Sequence, residues 1–155
     1  MLNASPERLG QLLVVISTVH LLGAFVVGRR VRVNGPYPVL ATGMLLVAVG
    51  VFSAIAISST LGLLLPMVLY ALGEVSGNIS AGDLVLRLGG GAGKAVGMVR
   101  LTSDLGMVLG PILAGVLADH YGVRAPFIAV GVMSSVAALM VLSLMLILRR
   151  RLRHS

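Results

Sequence analysis

The chain has no cysteine, only five acidic residues among its 155, and just 11% charged residues of either sign. Without cysteine there is no disulfide framework and no thiolate metal site. The shortage of charge is more telling. A soluble domain needs a polar skin, and 57% hydrophobic residues with a mean hydropathy of +1.05 leave too little for one. Zinc-ligand spacing and a Ser/His/Asp arrangement in a soluble domain are also missing. No enzyme is expected, and no metal or cofactor.

What is there comes in long uncharged blocks. Leu9 to Gly28 covers 20 residues, Val33 to Gly73 covers 41, and Ala125 to Leu148 covers 24. A bilayer core takes about 20 apolar residues per helix, so the block of 41 holds two spans. The first run follows Glu7 and Arg8, is long, and leads into further spans, unlike a signal peptide. Period-two alternation is absent and the blocks are too long for barrel strands. Backbone groups in lipid must be paired within their own segment, which leaves helices. The expected fold is therefore an all-α integral membrane protein of about five transmembrane helices in a single domain over 1–155. The spans are read at about 9–27, 38–57, 61–77, 95–118 and 125–148, with a basic tail over 149–155.

The connections are read from turn chemistry. Val31 to Tyr37 carries Arg32, Asn34, Gly35 and Pro36. Pro38 suits a first helical turn. Thr60 is read as the N-cap of span three. Asn78 to Lys94 is read as the longest break, and Asp119 to Arg124 as a short polar hairpin.

The net charge of +7 sits in clusters beside apolar runs. It fits membrane topology better than a nucleic-acid partner. With five spans, one side holds Arg29, Arg30, Arg32, Arg87, Lys94, Arg100, Arg149, Arg150, Arg151 and Arg153, ten of the twelve basic residues. Arg8 and Arg124 lie on the other. The positive-inside rule then places the C-terminus in the cytoplasm and the N-terminus outside the plasma membrane.

Four polar residues inside spans are candidates for a substrate path or gate: Arg100, Asp104, Glu74 and His20. Arg100 and Asp104 stand four apart and share a helix face. They are either a structural pair near the cytoplasmic interface or a gating pair, since a charge in a span costs roughly 2.5–3.5 kcal/mol on insertion scales. Glu74, read as lying in the cytoplasmic last third of span three, could pair with Arg100 or serve as a proton or substrate site. His20 lies deep in span one. An imidazole there either bonds between helices or titrates near neutrality. Gly106 and Gly110 form a GxxxG step, Gly115 continues the small-residue face, and Pro111 permits a bend. That face is expected to pack on span five or span two. Gly89 to Gly93 resembles a phosphate loop only superficially, because no Ser or Thr follows Lys94 and no strand precedes it.

The stretch Gly97-Met-Val-Arg100-Leu-Thr-Ser-Asp104-Leu-Gly106-Met-Val-Leu-Gly110-Pro111, continuing through Asp119-His-Tyr-Gly122-Val-Arg124-Ala-Pro-Phe127, resembles the eleventh helix and following hairpin of major facilitator superfamily transporters. Gly28-Arg29-Arg30 with Gly35 resembles the link between the eighth and ninth helices, although it lacks that link's acid. The resemblance covers nearly all of the chain as helices eight to twelve. Helices two to six, whose fifth helix carries a related Gly-Pro motif, are the alternative, less favoured because the chain ends soon after its last span. The resemblance implies transport of a small solute between two six-helix halves. The chain is then expected to be a truncated or partner-requiring unit that associates with a complementary N-terminal half or with itself. The alternative is a non-transporting structural or vestigial membrane protein.

Overall fold

The computed structural model describes residues 6–57, 59, 61–88 and 92–153. It contains five helices: α1 (Pro6–Asn34), α2 (Pro36–Ala56), α3 (Leu64–Leu88), α4 (Ala92–Tyr121) and α5 (Ala125–Arg153). Four of them are long and apolar enough to cross a membrane, over Leu13–Asn34, Pro36–Ala56, Val96–Tyr121 and Ala125–Ile147. At 25 residues, α3 has the length as well, about 37 Å at 1.5 Å per residue.

Short joints set an alternating course. The α1–α2 joint is Gly35 alone, with φ 80°, whose amide donates to the Val31 carbonyl at 2.9 Å. This left-handed residue ends α1, and Pro36 opens α2, where its missing N–H leaves no bond unmade. The linker read over Val31 to Tyr37 is thus mostly helix. Gly122, at φ 89°, ends α4 in the same way, its amide bonding to the Ala118 carbonyl at 2.9 Å. Before α3, the Ser59 hydroxyl accepts the Gly62 amide at 3.1 Å. The cap expected at Thr60 and the phosphate-loop comparison at Gly89 to Gly91 lie outside the described residues.

Two boundaries differ from expectation. Helix α3 runs on through Asn78 to Leu88, where a break was expected. Asp83 and Arg87 are one turn apart and bridge at 2.7 Å, so a charged stretch remains helical as the chain leaves the apolar core. At the other end of the chain, α5 carries the basic tail as helix as far as Arg153.

The packing puts small residues inside and large ones outside. The buried set is Val27, Val31, Val39, Ala41, Val47, Ala48, Val51, Ala71, Val75 and Ala138, with Ser76 and Ser80 among them. Phe25, Leu61, Leu65, Met107, Leu139 and Met140 point outward. Water would oppose this arrangement, but lipid tails do not, and small residues let helix backbones approach. Helix α2 is the hub, packed on α3 and α5, while α1 lies on α3. A Cβ on Gly43 would stand 3.0 Å from the Gly73 carbonyl oxygen, and one on Gly73 only 2.7 Å from the Val47 nitrogen. A Cβ on Gly50 would meet the Pro66 oxygen and the Tyr70 nitrogen, both at 2.8 Å. The Phe52 ring occupies the space beside Gly131 on α5. Several helix hydroxyls bond back to their own carbonyls, as Ser76 does to Leu72 at 2.7 Å, whereas the buried Ser80 hydroxyl has no partner among the described residues.

Candidate functional site

The described residues divide into two ends. The start of α1, the α2–α3 connection and the α4–α5 turn define one, called here the turn end. The basic end carries the α1–α2 joint, the end of α3, the start of α4 and the end of α5.

A cavity of about 480 Å³ lies toward the turn end, and all five helices line it. Ile16 and His20 come from α1, Val51 and Ala54 from α2, and Pro66, Met67, Tyr70 and Glu74 from α3. Ala114 of α4 and Pro126, Phe127 and Val130 of α5 complete it. On α3 the spacing Met67, Tyr70, Glu74 repeats at three and four, so one helix face supplies all three. Gly50 closes the floor, because its missing side chain lets α2 reach the α3 backbone at Tyr70.

His20 and Glu74 meet in this cavity across the α1–α3 contact. His20 Nε2 and Glu74 Oε2 are 3.2 Å apart, at side-chain exposures of 35% and 43%. Both groups are thus reachable from the cavity rather than sealed in the core. Glu74 pairs with His20 rather than Arg100. It also lies in the first half of its helix, about 15 Å from the start at Leu64, rather than near the basic end. Its position moves because α3 continues past Gly77, which places the helix's charged end at Asp83 and Arg87.

Arg100 and Asp104 are elsewhere. They line a cleft of about 360 Å³ between α3 and α4 toward the basic end, with Ser103, Gly82 and Leu86. Both are exposed. Among the described residues the ionic contacts within 4.0 Å are His20–Glu74 and Asp83–Arg87, so the expected Arg100–Asp104 pair is not formed. An exposed pair gains little over the entropy of holding two side chains together, and no second wall confines these two.

The expected packing of Gly106, Gly110 and Gly115 is not formed either. A Cβ at any of the three would meet nothing within 4 Å, and all three are exposed. Pro111 sits inside α4, which runs unbroken around it. The closely packed glycines are instead Gly43, Gly50 and Gly73. Gly73 and Gly77 also form a GxxxG step, Gly73-Glu-Val-Ser-Gly77, and Gly43 and Gly50 stand seven apart. Both spacings are present in the sequence, and together they would have marked the α2–α3 contact.

The arrangement offers an ionisable pair, two aromatic rings and an apolar wall around a space large enough for a small organic molecule. No curated protein and no solved structure matches the chain. The Major Facilitator Superfamily model matches residues 1–155. With that match over its whole length, and with a lipid-facing helical bundle around a part-polar cavity, the chain belongs to the Major Facilitator Superfamily.

Proposed function

We propose that the chain forms one wall of a pathway for a small solute across the plasma membrane, and that the cavity at His20 and Glu74 is where the solute rests. The observation that carries this is the His20–Glu74 contact inside a cavity to which every helix contributes. Ionisable groups in a membrane interior are costly and are kept where they meet an ion or a solute. The family is one of transporters, and its membership supports the same conclusion.

The second wall is a complementary set of transporter helices. Support comes from α4, whose most apolar stretch has no buried residue and whose exposed surface carries Arg100, Asp104 and the open glycine row. Lipid is a poor neighbour for two charges, and glycines favour a close helix partner. In this proposal the chain corresponds to helices eight to twelve, the N-terminus is outside and the C-terminus inside. The ten-to-two division of basic residues supports that orientation. The cavity then opens toward the outer face.

Transport is tested by reconstituting the purified chain into liposomes, alone and co-expressed with a complementary N-terminal half. Solute and proton fluxes are compared with empty liposomes. Saturable flux is expected only with both parts. Flux from a monomer of this chain would overturn the need for a second wall, and no flux from the complex would overturn the transport reading. Orientation is tested on the cysteine-free background with Val123→Cys and Val33→Cys, both at exposed positions. An impermeant thiol reagent outside intact cells is expected to reach the first alone.

A further inference from the structure

We infer that the His20–Glu74 cavity selects a lipophilic monovalent cation, an apolar body carrying one positive charge that rests against the Glu74 carboxylate. The inference depends on the cavity being the solute site proposed above, and it adds the chemical class of the solute.

The lining decides the class by what it offers and what it withholds. Ile16, Val51, Met67 and Val130 present hydrocarbon, while His20, Tyr70 and Glu74 supply the side-chain polar groups. A sugar or other polyol needs a hydrogen-bond partner for each of several hydroxyls, and this wall offers three such groups. An anion needs a cationic partner, and among the described residues neither Arg nor Lys lines the cavity. A cation finds a carboxylate that is 43% exposed and whose contact with His20 uses Oε2 alone. The same carboxylate keeps further lone pairs free for a second partner. Tyr70 and Phe127 add ring faces that attract a cation, in a chain with only three tyrosines and three phenylalanines. The volume of about 480 Å³ falls within the range typical of small-molecule sites.

Among the described residues the other helices add no charged side chain to the cavity: α2 contributes Gly50, Val51 and Ala54, α4 contributes Ala114, and α5 contributes Pro126, Phe127 and Val130.

The test uses the full chain purified in detergent micelles and equilibrium dialysis against tetraphenylphosphonium. Tetraphenylborate, of the same shape and opposite charge, is the control. Saturable binding of the phosphonium is expected, with the borate not saturating. Glu74→Gln is expected to weaken phosphonium binding by at least about tenfold, given a charge pair a few ångströms apart in a part-polar site. Equal saturable binding of both ions, or binding indifferent to Glu74→Gln, would each overturn the inference. The first needs no variant, so a misfolded substitution cannot decide the outcome. Labelling of Ala54→Cys by an impermeant maleimide reports separately whether the cavity is open to water. Labelling without phosphonium binding removes the cation class and leaves the pathway standing; neither labelling nor binding removes both.

Discussion

Helices α3 and α4 carry nearly the same ingredients and meet opposite fates. Each has a GxxxG step, Gly73–Gly77 in one and Gly106–Gly110 in the other, and each has an acid beside it, Glu74 or Asp104. In α3, Ala71, Gly73, Val75, Ser76, Gly77 and Ser80 are buried. In α4 the corresponding face is bare. Hydropathy alone would place them the other way round, since α4 qualifies as an apolar span and α3 does not. What separates them is the opposing surface. Gly43 and Gly50 of α2 stand at the heights where α3 presents Gly73 and Tyr70, so two backbones can touch. Nothing among the described residues offers α4 such a match. A small-residue motif states that a helix can be approached closely; only a facing helix with gaps at the same heights makes the approach happen.

The largest effect should come from filling one of the two steps. A methyl group on Gly73 would fall 2.6 Å from the Gly43 oxygen and 2.7 Å from the Val47 nitrogen, both backbone atoms that cannot swing aside. Gly73→Ala is expected to cost about 2–3 kcal/mol, as overpacking does, and to lower both folded yield and the melting midpoint in detergent. Gly110→Ala adds a methyl to open space and gains helix propensity, so the chain alone should lose nothing. If the two variants melt together, α2 and α3 are not the tight pair and the comparison collapses. Gly110→Leu sharpens it further. That change should leave the chain alone intact and impair assembly with a complementary half.

Next in size is the cavity pair. His20→Ala takes away the one hydrogen-bonding partner found for Glu74 among the described residues, and the carboxylate stays half-exposed in a mostly apolar space. A hydrogen bond to a charged group is worth about 1.5–3 kcal/mol when buried, and partial exposure here brings the expected loss to about 1 kcal/mol. His20→Gln, which can still donate, should recover most of it. Thermal melts of both variants at pH 8 are the measurement, and equal melting of the two would mean that the contact does not hold α1 to α3.

These residues also mark how far the sequence could be read. The helical class was legible because uncharged blocks of 20, 41 and 24 residues admit no other structure in lipid. His20 and Glu74 stood out as interior polar groups, but their meeting did not, because 54 residues separate them and only the α1–α3 contact brings them together. The end of α3 is hidden in the sequence for a physical reason. Asn78, Asp83 and Arg87 signal an exit from the apolar core, and a helix can leave that core without ending. In the sequence α4 outweighs α3 by motif strength: Arg100, Asp104 and Gly110-Pro111 form a conspicuous run, whereas Gly73–Gly77 encloses an acid and a serine and reads as a polar break. Tyr70 was legible in principle, one turn before Glu74 on the same face.

A smaller effect is expected at Arg100 and Asp104. In the chain alone they share an exposed face without pairing, so a double-mutant cycle between Arg100→Gln and Asp104→Asn should give a coupling below about 0.5 kcal/mol. With the complementary helices co-expressed, the face is covered and the charges lose their other surroundings. Coupling should then rise above about 1 kcal/mol. A strong coupling already present in the chain alone would mean that α4 is organised without a partner.

The smallest effect belongs to the charged end of α3. Asp83 and Arg87 bridge at 2.7 Å, four residues apart, with Arg87 59% exposed. Exposed helix pairs of this spacing are worth about 0.3–0.5 kcal/mol, and salt screens them. Asp83→Asn should therefore shift the melting midpoint barely beyond error at low salt and not at all at high salt. The comparison gives this small number its use. If α3 ended near Gly77 like a conventional short span, Asp83 and Arg87 would lie in a loop and their charges would not be coupled at any salt. A shift that appears at low ionic strength, vanishes at high, and is restored by reversing both charges as Asp83→Arg with Arg87→Asp would place the two on one continuous helix. Absence of any low-salt shift would end the helix earlier, return Glu74 toward the basic end of its span, and with it remove the geometric basis for a cavity that opens at the turn end.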